Sequence, residues 1–176
     1  MAPVLVVTGI MAAGKSTVAE LLARRWERGV HLRGDVFRRM IVTGQAPITP
    51  ELSPEATAQL DLRYRLAARA AEEYAAAGFA VVLQDVLLGP ALPALLDRIR
   101  VRPLHLVVLA PDPEVVARRE AGRAKTGYGD GWTPAVLDAA LRDGTPRLGL
   151  WLDTSAQTPD QTVETILARL PESAIT

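Results

Sequence analysis

Gly9-Ile10-Met11-Ala12-Ala13-Gly14-Lys15-Ser16 is the stretch that decides how this chain folds. It matches G-x-x-x-x-G-K-[ST] without a gap. An apolar run, Val4–Thr8, leads into it and a helical pattern, Ser16–Arg28, leads out. Glycines let the backbone curl until its N–H groups point at an anion. The helix N-terminus that follows adds partial positive charge. The ligand suited to such a loop is a chain of phosphates. Gly9, Ala12, Ala13 and Gly14 would cradle it. Lys15 would bridge its β- and γ-phosphates, the Ser16 hydroxyl would ligate Mg²⁺, and Thr17 would lie near the α-phosphate. ATP with Mg²⁺ is therefore the expected ligand.

Outward from the loop, apolar runs alternate with helical patterns. The runs are Val4–Thr8, Val30–Arg33, Phe79–Gln84, Leu104–Leu109 and Leu148–Leu152, mostly rich in Val and Leu with little polar alternation. That is the pattern of strands covered on both faces. Between and after them, Ser16–Arg28, Pro54–Ala77, Leu92–Arg100, Pro113–Gly122 and Pro159–Leu170 are each long enough for a helix. Asp112-Pro113, Thr133-Pro134 and Thr158-Pro159 place a capping side chain before a proline at the first helical position. Thr158 with Gln161 also reads as a capping box, and Gly29 and Gly78 as helix-terminating glycines. The alternation predicts an α/β fold in three layers, a five-stranded parallel sheet between helices. Thr43–Ser53 and Ala124–Trp132, rich in Gly and Pro, read as irregular loops of the kind that cover sites.

Bulk properties bound the rest. A chain of 176 residues with 49% hydrophobic and 23% charged residues is one globular domain by length and composition. Net charge is zero, which gives no support to a dedicated nucleic-acid binder. Without cysteine there is no disulfide and no thiolate metal site. No signal-peptide pattern opens the chain and no run approaches a membrane span, so a cytoplasmic protein is expected. Of the 20 basic residues only Lys15 and Lys125 are lysines, and Lys15 stands where the phosphate motif requires an ammonium.

The third run closes on Gln84-Asp85, a Walker-B-like ending that places a carboxylate at the C-terminal edge of the sheet. Asp85 faces either the Mg²⁺ or the acceptor, and sequence leaves that division open. Asp35, after Arg33-Gly34 at the end of the second run, also fits a helix N-cap. His31 and His105 read as packed strand residues.

With these motifs in place, the chain resembles P-loop kinases that phosphorylate hydroxyls: chloramphenicol phosphotransferase-like enzymes, gluconate kinases and polynucleotide 5′-kinase domains. The resemblance implies the strand order 2-3-1-4-5. It implies transfer of the γ-phosphoryl of ATP to a hydroxyl of a small molecule. It also implies that Asp35 is the base and that Arg38, in Asp35-x-x-Arg38, grips substrate. Residues 113–132 look like the mobile lid of such kinases, with Arg119 and Arg123 closing over the phosphates. Tyr128 and Trp132 would either stack on substrate or anchor the lid. Ser155 and Gln157, after Asp153-Thr154, would border the adenine. The Pro54–Ala77 helix would line the acceptor pocket with Arg63, and Gln59 shares its face. The Met11-Ala12-Ala13 interior and the Thr43–Ser53 insertion depart from the chloramphenicol enzymes, so that substrate does not carry over. Two alternatives stand beside this reading. One is a polynucleotide 5′-hydroxyl kinase, favoured by Asp35-x-x-Arg38. The other is a nucleotide-binding switch with slow ATPase activity, which would leave Asp35 and the arginines without work.

Overall fold

A computed structural model describes residues 2–122, 128 and 131–176. The elements run β1 (Val4–Thr8), α1 (Lys15–Ala23), β2 (Gly29–Arg33), α2 (Asp35–Arg39), α3 (Pro54–Ala76), β3 (Ala80–Gln84) and α4 (Ala91–Leu96). They continue with β4 (Leu104–Leu109), α5 (Pro113–Ala121), α6 (Pro134–Arg142), β5 (Leu150–Leu152), α7 (Pro159–Ala168) and β6 (Ala174–Ile175). The sheet order is β2-β3-β1-β4-β5, all parallel, as the P-loop kinase resemblance implied. α1 packs against α7 on one face, and α3 against α4 on the other.

Every residue of β1, β3 and β4 is buried. These central strands need no polar alternation because both of their faces are covered. β2, at the edge, is the strand with exposed positions at both ends. The register Val7↔Gln84 and Leu32↔Leu83 brings the C-terminal ends of β1, β3 and β2 level. The residues just beyond them, 9–16, 34–39 and 85, therefore meet along one edge.

Several boundaries differ from the sequence reading. α1 stops at Ala23 rather than Arg28. A Cβ on Gly29 would fall 1.8 Å from the Ala23 carbonyl oxygen, so the chain folds back directly over the helix end. Gly29 thus opens β2 by close approach and does not cap a helix. Gly78, with φ of 84°, does follow the end of α3 in the left-handed conformation. α4 ends at Leu96 because the next amides bond three residues back, Arg98 N–H to Leu95 and Ile99 N–H to Leu96. The sheet also has a sixth strand. β5 pairs with only Val107–Leu109, so the lower edge of β4 is left open. There β6 pairs antiparallel with Leu104 and His105. Buried His105 meets the Ser173 hydroxyl at 3.0 Å beside it, and burial lowers the His105 pKa.

The expected caps at Thr133 and Thr158 form, and the Thr158–Gln161 capping box is complete. Asp112 makes no side-chain cap. Residues 43–53 form no helix or strand. Among the described residues no helix is long and apolar enough to cross a membrane.

Candidate functional site

The loop between β1 and α1 owes its shape to three residues with positive φ: Gly9 at 147°, Ala12 at 63° and Gly14 at 95°. Gly9 has no substitute, since a Cβ there would lie 2.5 Å from the Leu109 carbonyl oxygen on β4. Ala12 is unusual. The left-handed region costs a residue with a Cβ about 1–2 kcal/mol, and glycine's extra unfolded-state entropy offsets part of that. Ala12→Gly should therefore stabilise the protein by about 0.5–1 kcal/mol in urea unfolding. A loss of about 1 kcal/mol would show that the Ala12 methyl packs usefully enough to outweigh the strain.

Lys15 is 8% exposed, and its ammonium donates to the Ile10 carbonyl at 2.7 Å, folding the side chain back over its own loop. Ser16 and Thr17 are exposed at the start of α1. Both line an open cavity of about 500 Å³, together with Glu20, Leu21, Arg24 and Arg33. On β2, His31 directs Nδ1 to Glu20 at 2.9 Å, and its Nε2 is buried without a partner among the described residues. His31 is thus packed, as expected.

Asp35 is the first residue of α2, while Gly34 takes the N-cap position. Its Oδ2 pairs with Arg39 at 2.9 Å. Its Oδ1 is shielded from solvent and has no hydrogen-bond partner among the described residues. One turn on, Arg38 donates through Nη2 to the Ala46 carbonyl, while its Nε is likewise buried and unpartnered. A buried acceptor and a buried donor, both lacking partners, thus stand three residues apart on one short helix. Unpaired buried polar atoms are costly and uncommon.

Asp85 and Arg63, expected to face a metal and a substrate, bind each other. Arg63 donates Nε to Asp85 Oδ2 at 2.9 Å and Nη2 to Oδ1, and the Val86 amide donates to Oδ1 at 2.7 Å. The Asp85 side chain is 1% exposed. Gly34 makes room for it, since a Cβ there would sit 2.0 Å from Asp85 Oδ2. Burial lowers the Arg63 pKa. Charge on Tyr64 and Asp35 opposes that shift and charge on Arg38 and Arg39 adds to it, so these groups act on one another electrostatically. Removing one partner of a buried pair strands the other charge, at about 3–5 kcal/mol. Arg63→Met should lose that much stability in urea unfolding, and Arg63→Met with Asp85→Leu should regain most of it. A single-variant loss below about 1 kcal/mol would mean that water reaches Asp85.

On the opposite side of the phosphate loop, Arg119 donates to the Thr154 carbonyl at 3.1 Å. The Ser155 hydroxyl accepts from the Asp112 amide at 2.8 Å, which ties the loop after β5 to the start of α5. Ser155 also donates to Asp153 through its hydroxyl and its amide, and these bonds lower the Asp153 pKa. The Gln157 side chain turns to Thr162 and Thr165 of α7, and its backbone N–H donates to the Thr154 carbonyl. Arg123 and Lys125 lie outside the described residues. Tyr128 donates to the Met11 carbonyl in the phosphate loop at 2.7 Å, and Trp132 donates to the Ile48 carbonyl at 3.0 Å. Of the two roles weighed for these aromatics, the hydrogen bonds match anchoring.

Two contributors gave no clear signal in sequence. Arg142, paired with Asp138 four residues earlier, holds the carbonyls of Ala110 and Pro111 just before α5. Gln59, 7% exposed, binds the backbone of residues 44 and 46. The legible hints were the i,i+4 spacing of Asp138 with Arg142 and that of Gln59 with Arg63.

Among the described residues no group of three or more acidic, His or Cys side chains could hold a metal. Mg²⁺ in phosphate sites typically takes one or two protein ligands plus phosphate oxygens and water. The exposed Ser16 hydroxyl at the end of the phosphate loop fits that pattern.

A family profile described as AAA domain matches residues 4–146. No curated protein matches the chain significantly. Among solved structures, a sugar kinase from a Janibacter species is 23% identical, with 98% of this chain and 96% of that one covered and a TM-score of 0.72. A gluconokinase from Sinorhizobium meliloti is 23% identical over 96% and 91%, with a TM-score of 0.63. The tunicamycin resistance protein of Deinococcus radiodurans is 16% identical over 100% and 99%, with a TM-score of 0.66. At these identities the likeness is one of fold, that of the P-loop kinases.

Proposed function

We infer, for a chain that belongs to the AAA domain family and has the P-loop kinase fold, that it transfers the γ-phosphoryl group of ATP to a hydroxyl of a small molecule. The observation that carries this reading is the unpartnered pair on α2. A hydroxyl is both donor and acceptor. It carries the donor that Asp35 Oδ1 lacks and the acceptor that Arg38 Nε lacks.

The phosphate loop would hold the triphosphate with its amides, and Lys15 would leave Ile10 to lie along the β- and γ-phosphates. Ser16 would hold Mg²⁺, which would neutralise phosphate charge. Asp35 orients the acceptor hydroxyl and takes its proton as the bond to phosphorus forms. The transition state is loose, so that proton leaves late and an ordinary carboxylate suffices. Asp85, clamped by Arg63, packs against Gly34, the residue before Asp35, and so braces the start of α2. Arg119, on α5, and Arg123, outside the described residues, would spread positive charge over the transferring group as arginines of the lid, residues 113–132. Tyr128 and Trp132 support that reading by linking this segment to the phosphate loop and to Ile48.

The test is ATP consumption by the purified protein with Mg²⁺ against hydroxyl-bearing antibiotics, gluconate and other sugars, nucleosides and a 5′-hydroxyl oligonucleotide. A large rise with one small molecule is expected. A rise with the oligonucleotide alone would move the function to polynucleotide ends. Slow hydrolysis indifferent to every acceptor would favour a nucleotide switch.

A further inference from the structure

We propose that Gln59 is a positioning residue for the acceptor side of the site, acting on Arg38 through the backbone of Ala46; this rests on the reading of Arg38 as an acceptor-binding group. The 43–53 segment makes no helix or strand, so its buried backbone groups need side-chain partners. Gln59, in the first half of α3, supplies two of them. Its side-chain oxygen accepts from the Ala46 amide at 3.0 Å. Its nitrogen donates to the Gly44 carbonyl at 2.7 Å and to Glu55 at 2.9 Å.

Ala46 is held from its other side by Arg38, whose Nη2 donates to the Ala46 carbonyl. Gln45 donates in turn to the Arg38 carbonyl at 2.9 Å. One residue, Ala46, is thus gripped on its amide by Gln59 and on its carbonyl by Arg38. An arginine side chain has several soft torsions, but its guanidinium is planar and rigid. Holding one terminal nitrogen on an immobile carbonyl restrains that plane, and with it the direction of the buried Nε–H. The immobility of the carbonyl comes from Gln59. Only a side-chain amide has both the acceptor and the donors this clamp uses. Glutamate keeps the acceptor for Ala46 and loses the donor for Gly44, while leucine loses both.

The test follows the Nε–H resonance of Arg38 in ¹⁵N-labelled protein, assigned by its loss in Arg38→Lys. Gln59→Leu should shift that resonance and speed its exchange with solvent by about tenfold, a size typical of coupled neighbours. The Arg63 resonance, held by Asp85, should stay in place. Gln59→Glu, which sets a carboxylate oxygen against the Gly44 carbonyl and Glu55, should shift Arg38 as well. An unmoved Arg38 resonance, or Arg38 and Arg63 moving together, would overturn the proposal. In kinetics with the panel acceptor that turns over, Gln59→Leu should raise the acceptor KM about tenfold and leave the MgATP KM within twofold. Adding Arg38→Lys to it should cost little more. Equal rises in both KM values, or additive losses, would also count against it. If no acceptor turns over, the kinase reading fails, while the resonance experiment still decides whether Gln59 positions Arg38.

Discussion

Lys15→Ala is expected to lower phosphoryl transfer by at least about 10³-fold while the protein stays folded. Loss of one preorganised charge or donor at a transferring group typically costs about 10²–10³-fold, and a guanidinium at the same position in a reaction more. Lys15 is the only described lysine, and its ammonium reaches back to Ile10 within the loop that would hold the phosphates. Far-ultraviolet circular dichroism and a melting curve report on the fold. Circular dichroism unchanged from the parent would show that the loss of transfer is not a loss of fold. Transfer by the variant within about tenfold of the parent rate would remove Lys15 from the phosphate site.

Asp35→Asn is expected to lower the acceptor-dependent rate by about 10²–10⁴-fold, the range for a general base. The KM for MgATP should change little. Asparagine keeps the size of the side chain and an acceptor oxygen, but it cannot carry away a proton. It also gives up the charge that pairs with Arg39 at 2.9 Å, an exposed contact worth little to stability. The informative quantity is the split between the two parameters. A parallel loss of rate and nucleotide affinity would make Asp35 a metal or structural residue.

Much of this was legible from spacing alone. The phosphate loop, its flanking strand and helix, and the alternation of apolar runs with capped helices were enough to expect a parallel α/β sheet. Long buried strands such as β4 announce themselves through their composition. β6 could not, since two residues carry no period, and their pairing depends on β5 being too short to cover β4. The end of α1 was hidden for a related reason. The pattern through Arg28 suits a helix, and the backbone of Gly29 crossing Ala23 is a tertiary fact.

The site divides in the same way. Asp85 was singled out because strand ends in such sheets meet at one edge, and Asp35 through the resemblance to kinases that phosphorylate hydroxyls. Their hydrogen bonding was not legible: Arg63 reaches Asp85 across 22 positions, Asp35 pairs with Arg39, and Arg38 reaches a loop carbonyl instead. Sequence types those arginines as cations available to a ligand. Folding assigns part of their hydrogen bonding to the protein itself. Gln59 was seen only as a neighbour of Arg63 on one helix face, and its work on Gly44 and Ala46 depends on a loop with no pattern to read.

The central claim is that a phosphoryl group leaves ATP for an alcohol at Asp35. The most direct measurement follows [γ-³²P]ATP with Mg²⁺ and each acceptor of the panel, separating labelled acceptor from labelled inorganic phosphate. The account predicts label on one small-molecule hydroxyl with the parent protein, and loss of that product in Asp35→Asn. Label appearing only as inorganic phosphate, at a rate untouched by any acceptor and by Asp35→Asn, would contradict it.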